Sequence, residues 1–231
     1  MTGQQLDMVF PEHSIGERVY PARLSNFLNE YYTSKGIVIH AEETVADIKK
    51  TGRGYSVRLS GGSELEADTV VAGLGIQPNT ELAKNAGLKT GNGIEVNEQL
   101  QTNNPDIYAA GDVANFYNPA LGKRIRVEHE DNANSMGELA GRNMAGGTEK
   151  YEHLPFFYSD LFDLGYEAVG ELDSRMQIVE DWKEEFREGV IYYVDQRRVR
   201  GVLLWNTWGQ VEHARELIAQ AEIDVATLKG K

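Results

Sequence analysis

Apolar positions change period several times along the chain, and each change marks an element. Leu6-Asp-Met-Val-Phe10 reads as a strand stopped at Pro11. Over residues 21–32, Leu24, Phe27, Leu28 and Tyr31 fall three and four apart, which predicts an amphipathic helix with Pro21 in its first turn. Residues 37–40, Ile-Val-Ile-His, predict a short buried strand. Strands at 43–49, 55–59 and 63–67 are separated by Thr51-Gly-Arg-Gly54 and Ser60-Gly-Gly62, turn signals that predict a meander. A further strand at 68–72 runs into Gly73-Leu-Gly75-Ile-Gln-Pro78-Asn79.

Next come a short helix at 80–86, an extended piece at 93–96 and a short strand at 107–110. Residues 128–145 predict a helix with Ala133, Met136, Ala140 and Met144 on one face. Gly137 and Gly141 suit it to close packing, and Gly146-Gly147 ends it. From about 151 the texture shifts to strands rich in Tyr, Val and Ile, at 166–171, 176–181, 190–194 and 199–205. A last amphipathic helix carries Val211, Ala214, Leu217 and Ile218. The expected fold class is α/β with a β-meander, followed by a C-terminal α+β domain with an antiparallel sheet.

Composition narrows the chemistry. The 231 residues contain no cysteine, which removes thiolate, disulfide and iron–sulfur mechanisms. The histidines (His13, His40, His129, His153 and His213) lack metal spacing, so no metal site is expected. A net charge of −13 repels phosphate backbones, and no nucleic-acid partner is expected. The best candidate for a basic patch, Lys123-Arg-Ile-Arg126, is small, is followed by acidic residues and reads as a solvated loop. No apolar run approaches the roughly 18–20 residues of a membrane span, and the first residues do not read as a signal peptide. A cytoplasmic location is the default expectation.

The stretch TNNPDIYAAGDVANF, residues 102–116, ends an apolar run on Gly111-Asp112. Gly111 permits a close approach to the backbone. Taken alone, Asp112 could equally be a cap for the next helix. Three motifs in order decide between the readings: the Gly-rich turn at 73–79, the Ala-Gly-Asp turn at 110–112, and the helix after Glu128-His129. Together they resemble the flavoprotein pyridine-nucleotide oxidoreductases with two dinucleotide-binding domains. LDMVFPEHSIGERVYPARLSNF, VVAGLGIQPNTELAKNAGL, IRVEHEDNANSMGELAGRNMAG and FFYSDLFDLGYEAVGELDS are similar to the apoptosis-inducing factor branch, which neighbours the ferredoxin and rubredoxin reductases. GVIYYVDQRRVRGVLLWN resembles the C-terminal domain of that branch.

The resemblance implies FAD and NAD(H) as cofactors of the full-length protein, on partial Rossmann-like domains. It implies a partial NAD-binding domain at 1–75, the second segment of an FAD-binding domain at 76–148, and a C-terminal reductase or dimerisation-type domain at 149–231. Asp112 would hydrogen-bond a ribityl hydroxyl. Glu128 and His129 would line flavin and nicotinamide beside a helix N-terminus, whose partial positive charge favours electron density on the reduced ring. Glu130 stands where a second histidine is common. Tyr158 replaces a tryptophan near the nicotinamide, Glu167 would reach the nicotinamide, and Gly75 would allow the dinucleotide close to the backbone. Glu12 would meet an adenosine ribose and favour NADH.

The Gly-x-Gly-x-x-Gly turns that seat a pyrophosphate on a helix N-terminus do not occur in the chain. The expectation is therefore the C-terminal part of a longer reductase, whose partner is an N-terminal half or its own longer chain, with a homodimer also compatible. The implied reaction passes hydride from NADH to flavin and electrons on to a quinone, a redox protein or oxygen, with no protein group as catalytic acid. The alternative is a cofactor-free interaction or assembly module. A nucleic-acid-binding role, by analogy with the branch, is opposed by the −13 charge.

Overall fold

The computed structural model describes residues 4–220 and 222–230. The chain divides into two compact units, residues 1–75 with 173–175 and residues 76–172 with 176–231.

The first unit opens with β1 (Leu6–Phe10), α1 (Ala22–Ser34) and β2 (Ile37–Ala41). β1 and β2 pair in parallel from Leu6↔Ile37 to Phe10↔Ala41, so α1 is the crossover that a parallel pair requires. Pro21 sits at the N-cap of α1 rather than inside its first turn. The buried stripe of α1 is Leu24, Ser25, Leu28 and Tyr31. β2 is not the buried strand its apolar run predicts: Val38 is 41% exposed. Among the described residues this ribbon has only two strands.

The meander forms as expected from β3 (Val45–Lys50), β4 (Tyr55–Leu59) and β5 (Glu64–Ala67), all antiparallel. Residues 68–72 do not form a strand. Apolar character supplies the side chains for a strand but not the ladder, and no strand among the described residues pairs with this run. Val71 and Leu74 are left 91% and 93% exposed.

The second unit begins with α2 (Glu81–Asn85), β6 (Thr90–Gly91), β7 (Gly93–Glu95), β8 (Ala114–Asn118) and β9 (Lys123–Ile125), the strands ordered β6-β7-β8-β9. Residues 107–110 are not a strand: only a single bridge, Gln101↔Tyr108, forms there. Lys123 to Arg126 is not a solvated loop. Its first three residues are β9, and its cations are consumed by carbonyls and carboxylates, Arg124 Nη2 donating to the Val96 carbonyl at 2.8 Å.

α3 (Glu130–Met144) packs Met136, Leu139 and Ala140 against Val96, Leu100, Ala114 and Phe116. Its buried face is rotated from the expected one. Asn132 and Asn143 are buried, whereas Met144 is 67% exposed and Gly137 and Gly141 meet nothing within 4 Å.

The remainder is a five-stranded antiparallel sheet ordered β10-β11-β14-β13-β12: β10 (Phe156–Leu161), β11 (Leu164–Gly170), β12 (Gln177–Glu184), β13 (Glu188–Asp195) and β14 (Arg198–Trp205). α4 (Val211–Ala219) lies against β11 and β14, closing a core of Val169, Tyr192, Val202, Leu204, Leu217 and Ile218. The fold class is therefore mixed α/β with a C-terminal antiparallel sheet, as expected. No helix among the described residues is long and apolar enough to cross a membrane.

Candidate functional site

Asp112 lies in a single 3-10 turn, Gly111–Val113, that replaces the expected strand end. Gly111 holds φ +74, and a Cβ there would stand 3.6 Å from the Cβ of Ala133, so what approaches this backbone is α3. Capping does not occupy Asp112. The N-cap of its own turn is Ala110, and that of α3 is His129. Its carboxylate is exposed and makes no hydrogen bond or ion pair among the described residues.

Glu128 is held by Arg126, whose Nη1 lies 2.6 Å from Glu128 Oε1. The same nitrogen donates to the Asp112 carbonyl at 2.9 Å, and Arg126 Nε donates to Asn92 Oδ1 at 3.0 Å. One side chain, only 8% exposed, thus ties the Asp112 turn to Glu128.

His129 caps α3 by accepting the Asp131 N–H at Nδ1, 3.4 Å away, which assigns its ring proton to Nε2. Its ring meets Tyr158 edge-on at 5.5 Å between centroids and lies 6.1 Å from Phe156. Tyr158 is 53% exposed and faces Glu167 across the β10–β11 pair. Glu167 Oε2 accepts the Gly209 N–H at 3.1 Å. Glu130 opens α3 with an exposed side chain and no hydrogen-bond or ionic partner among the described residues. Gly111, Asp112, Glu128, His129, Tyr158 and Glu167 thus fall into two adjoining corners, one of carboxylates and one aromatic, joined by the peptide between Glu128 and His129.

Glu12 and Gly75 belong to the first unit. Glu12 stands just past β1, where ligands meet the carboxyl ends of parallel strands, and its carboxylate pairs with Arg18 at 2.7 Å. Gly75 has φ +79 and open space around its missing Cβ, so turn geometry accounts for the glycine there.

Residues that no sequence motif singles out hold these corners. Asp131 Oδ2 accepts from His153 Nε2 at 2.7 Å, the Phe156 N–H at 3.2 Å and Arg215 Nη2 at 3.5 Å. Beneath it, the Tyr151 hydroxyl meets Ser135 at 2.8 Å and donates to Asn132 at 3.0 Å. Burial pushes the Tyr151 phenol up to about 12. The available signal was polar residues at helix positions that the apolar pattern did not require, Asn132 above all. Among the described residues no group of His, Asp or Glu could hold a metal. What the corners can do is accept hydrogen bonds from hydroxyls and stack a planar ring.

Residues 3–137 match the family profile described as pyridine nucleotide-disulphide oxidoreductase. Residues 140–184 and 179–220 match the C-terminal domain of mitochondrion-associated apoptosis-inducing factor. The chain is 36% identical over 232 residues to apoptosis-inducing factor 1, mitochondrial, of Dictyostelium discoideum, covering 93% of this chain and 43% of that protein. It is 34% identical to monodehydroascorbate reductase 3 of Arabidopsis thaliana, covering 97% of this chain and 53% of the relative. The ferredoxin reductase for the CYP199A2 system of Rhodopseudomonas palustris superposes with a TM-score of 0.80 at 30% identity, over 88% of this chain and 51% of that one. The chain thus spans about half the length of the relatives it matches. With no cysteine it carries none of the disulphide chemistry in the family's name. By the match over residues 3–137, the chain belongs to the pyridine nucleotide-disulphide oxidoreductase family.

Proposed function

We propose that this chain supplies the carboxylate and aromatic corners of the flavin and nicotinamide sites of an NADH-dependent flavoprotein reductase, and that an N-terminal polypeptide supplies the phosphate-binding turns. In this reading residues 1–75 are part of an NAD-binding domain, 76–148 a segment of an FAD-binding domain, and 149–231 the C-terminal domain. The observation that carries it is the Asp112 carboxylate, presented on a glycine turn and used by no described residue. A free carboxylate suits a ribityl hydroxyl, which needs an acceptor. When bound, FAD supplies the ring that takes hydride from the reduced nicotinamide and passes electrons to a quinone, a redox protein or oxygen.

The chain's own residues bind and orient. Tyr158 offers a stacking face bordered by His129, Glu128 stands next to His129 in the chain, and Glu167 accepts a hydrogen bond from the amide side. Glu130 stays accessible, and Gly75 leaves the backbone open to a dinucleotide. Glu12 accepts ribose hydroxyls in place of its bond to Arg18, which favours NADH over NADPH.

The test is the visible absorption of the purified chain with FAD and then NADH, alone and mixed with the N-terminal half of a relative. A flavin band that bleaches with NADH in either sample supports the reading. A colourless protein in both, with the two halves shown to associate, removes it. The second reading, a cofactor-free assembly module, draws on the exposed apolar side chains Val71 and Leu74 of the first unit and Leu82 of the second, and predicts that the halves associate and stay colourless.

A further inference from the structure

We propose that Arg126 is a positioning residue that sets the two carboxylates of the flavin corner from one buried guanidinium; the inference rests on the flavin reading above. Arg126 touches neither the stacking face nor the free Asp112 carboxylate. It acts through what it holds. Nη1 donates to the Asp112 carbonyl at 2.9 Å, which fixes the turn that aims the Asp112 side chain. The same nitrogen pairs with Glu128 at 2.6 Å, fixing the residue that leads into the His129 cap of α3. Nε donates to Asn92 Oδ1 at 3.0 Å, which anchors the far edge of the guanidinium to the β6–β7 turn.

Space for this arrangement is built into the backbone. Gly93 holds φ +100, and a Cβ there would stand 2.8 Å from Arg126 Cδ and 2.4 Å from the Val113 carbonyl oxygen. A planar cation with several fixed donors can hold acceptors on different sides at once, which a lysine ammonium on its flexible stem does less well. Because the guanidinium is mostly removed from water while Glu128 is exposed, loss of the cation returns Glu128 to solvent and leaves the Asp112 carbonyl without its donor. Two acceptors that relaxed independently would lose their common geometry.

The prediction is read first in the chain without cofactor. The Ala114 N–H donates to the Gly111 carbonyl and so reports closure of the turn by amide hydrogen exchange. In Arg126→Met its exchange should rise by roughly tenfold or more, while amides of β13 and β14 keep their wild-type rates. In the chain joined to an N-terminal half that restores flavin binding, Arg126→Met should weaken FAD affinity roughly ten- to hundredfold and shift the flavin midpoint potential. Arg126→Lys should recover part of the affinity through the Glu128 pair but little of the Ala114 protection. If Arg126→Met does not fold, Asn92→Ala removes only the anchoring acceptor and should raise Ala114 exchange by itself. Wild-type exchange at Ala114 in every folded variant overturns the proposal, as does unchanged affinity and potential in a flavin-binding complex. Faster exchange in a protein that never binds FAD would sink the flavin reading while leaving Arg126 as the residue that closes the turn.

Discussion

Nε2 of His153 lies 2.7 Å from Oδ2 of Asp131, so the first turn of α3 is fastened to the segment that enters β10. The same oxygen takes the Phe156 N–H and faces Arg215, whose Nε also donates to the Leu154 carbonyl at 2.8 Å. One carboxylate therefore ties α3, β10 and α4 together. Replacing Asp131 with Ala leaves the Phe156 amide and His153 without their acceptor and removes one of the acceptors of Arg215, which should cost about 1–3 kcal/mol. Urea unfolding followed by tryptophan fluorescence measures it. An Asp131→Ala protein with an unchanged midpoint would mean that solvent replaces the carboxylate at no cost.

Alkaline stability should be set by phenols. Burial raises Tyr151 to about 12, and also raises Tyr192 and Tyr193. A group whose folded value is raised stabilises fully below its unfolded value, about 10 for tyrosine, and loses that contribution as pH climbs through the folded value. Stability should therefore fall between roughly pH 10 and 12. Tyr151→Phe should shallow that fall, as read from unfolding midpoints across the range, and should lower stability near neutrality by about 1 kcal/mol through the lost hydrogen bonds.

Gly93→Ala should be among the costly single changes in the second unit. The new methyl would meet the Val113 carbonyl at 2.4 Å at a φ of +100, so backbone must move. A loss of about 2–4 kcal/mol is expected. Gly137→Ala, with nothing within 4 Å of its added Cβ, should instead stabilise α3 by up to about 1 kcal/mol. Thermal unfolding of the pair separates the two cases.

Tyr158→Ala should leave stability within about 0.5 kcal/mol, because the ring is half exposed. In a flavin-loaded complex the same change should lower kcat/KM for NADH roughly two- to tenfold, the scale of one lost ring contact. Tyr158→Trp, with more aromatic area, should equal or exceed the native rate. Equal rates for Ala, Tyr and Trp would remove the residue from the nicotinamide side.

Periodicity was a sound guide where an element carries its own reason to form. α1 repeats its apolar residues every three and four positions, and β3, β4 and β5 are bounded by glycine turns. It misled where formation depends on a distant partner. Residues 68–72 have strand-forming side chains and no ladder, and 107–110 make one bridge instead of a strand. The buried face of α3 is hidden from the pattern because Asn132 and Asn143 look like surface residues in one dimension. Asn143 spends its amide on the Gln99 and Glu149 carbonyls. Arg126 was hidden for the same reason: charge says nothing about which acceptors a fold will bring to it. Asp112 stands out in the sequence only in company, with the Gly-rich turn at 73–79 before it and the Glu128-His129 pair after it, and its place at a flavin is a proposal that rests on that company.

The bare run around Val71 and Leu74 also bears on how much of this protein a cell can keep. Extended apolar segments without a partner are what chaperones hold and proteases cut. A chain displaying one would be retained or degraded until something covers it. Whatever covers this run, from the same polypeptide or another, would then govern how long the protein survives proteolysis.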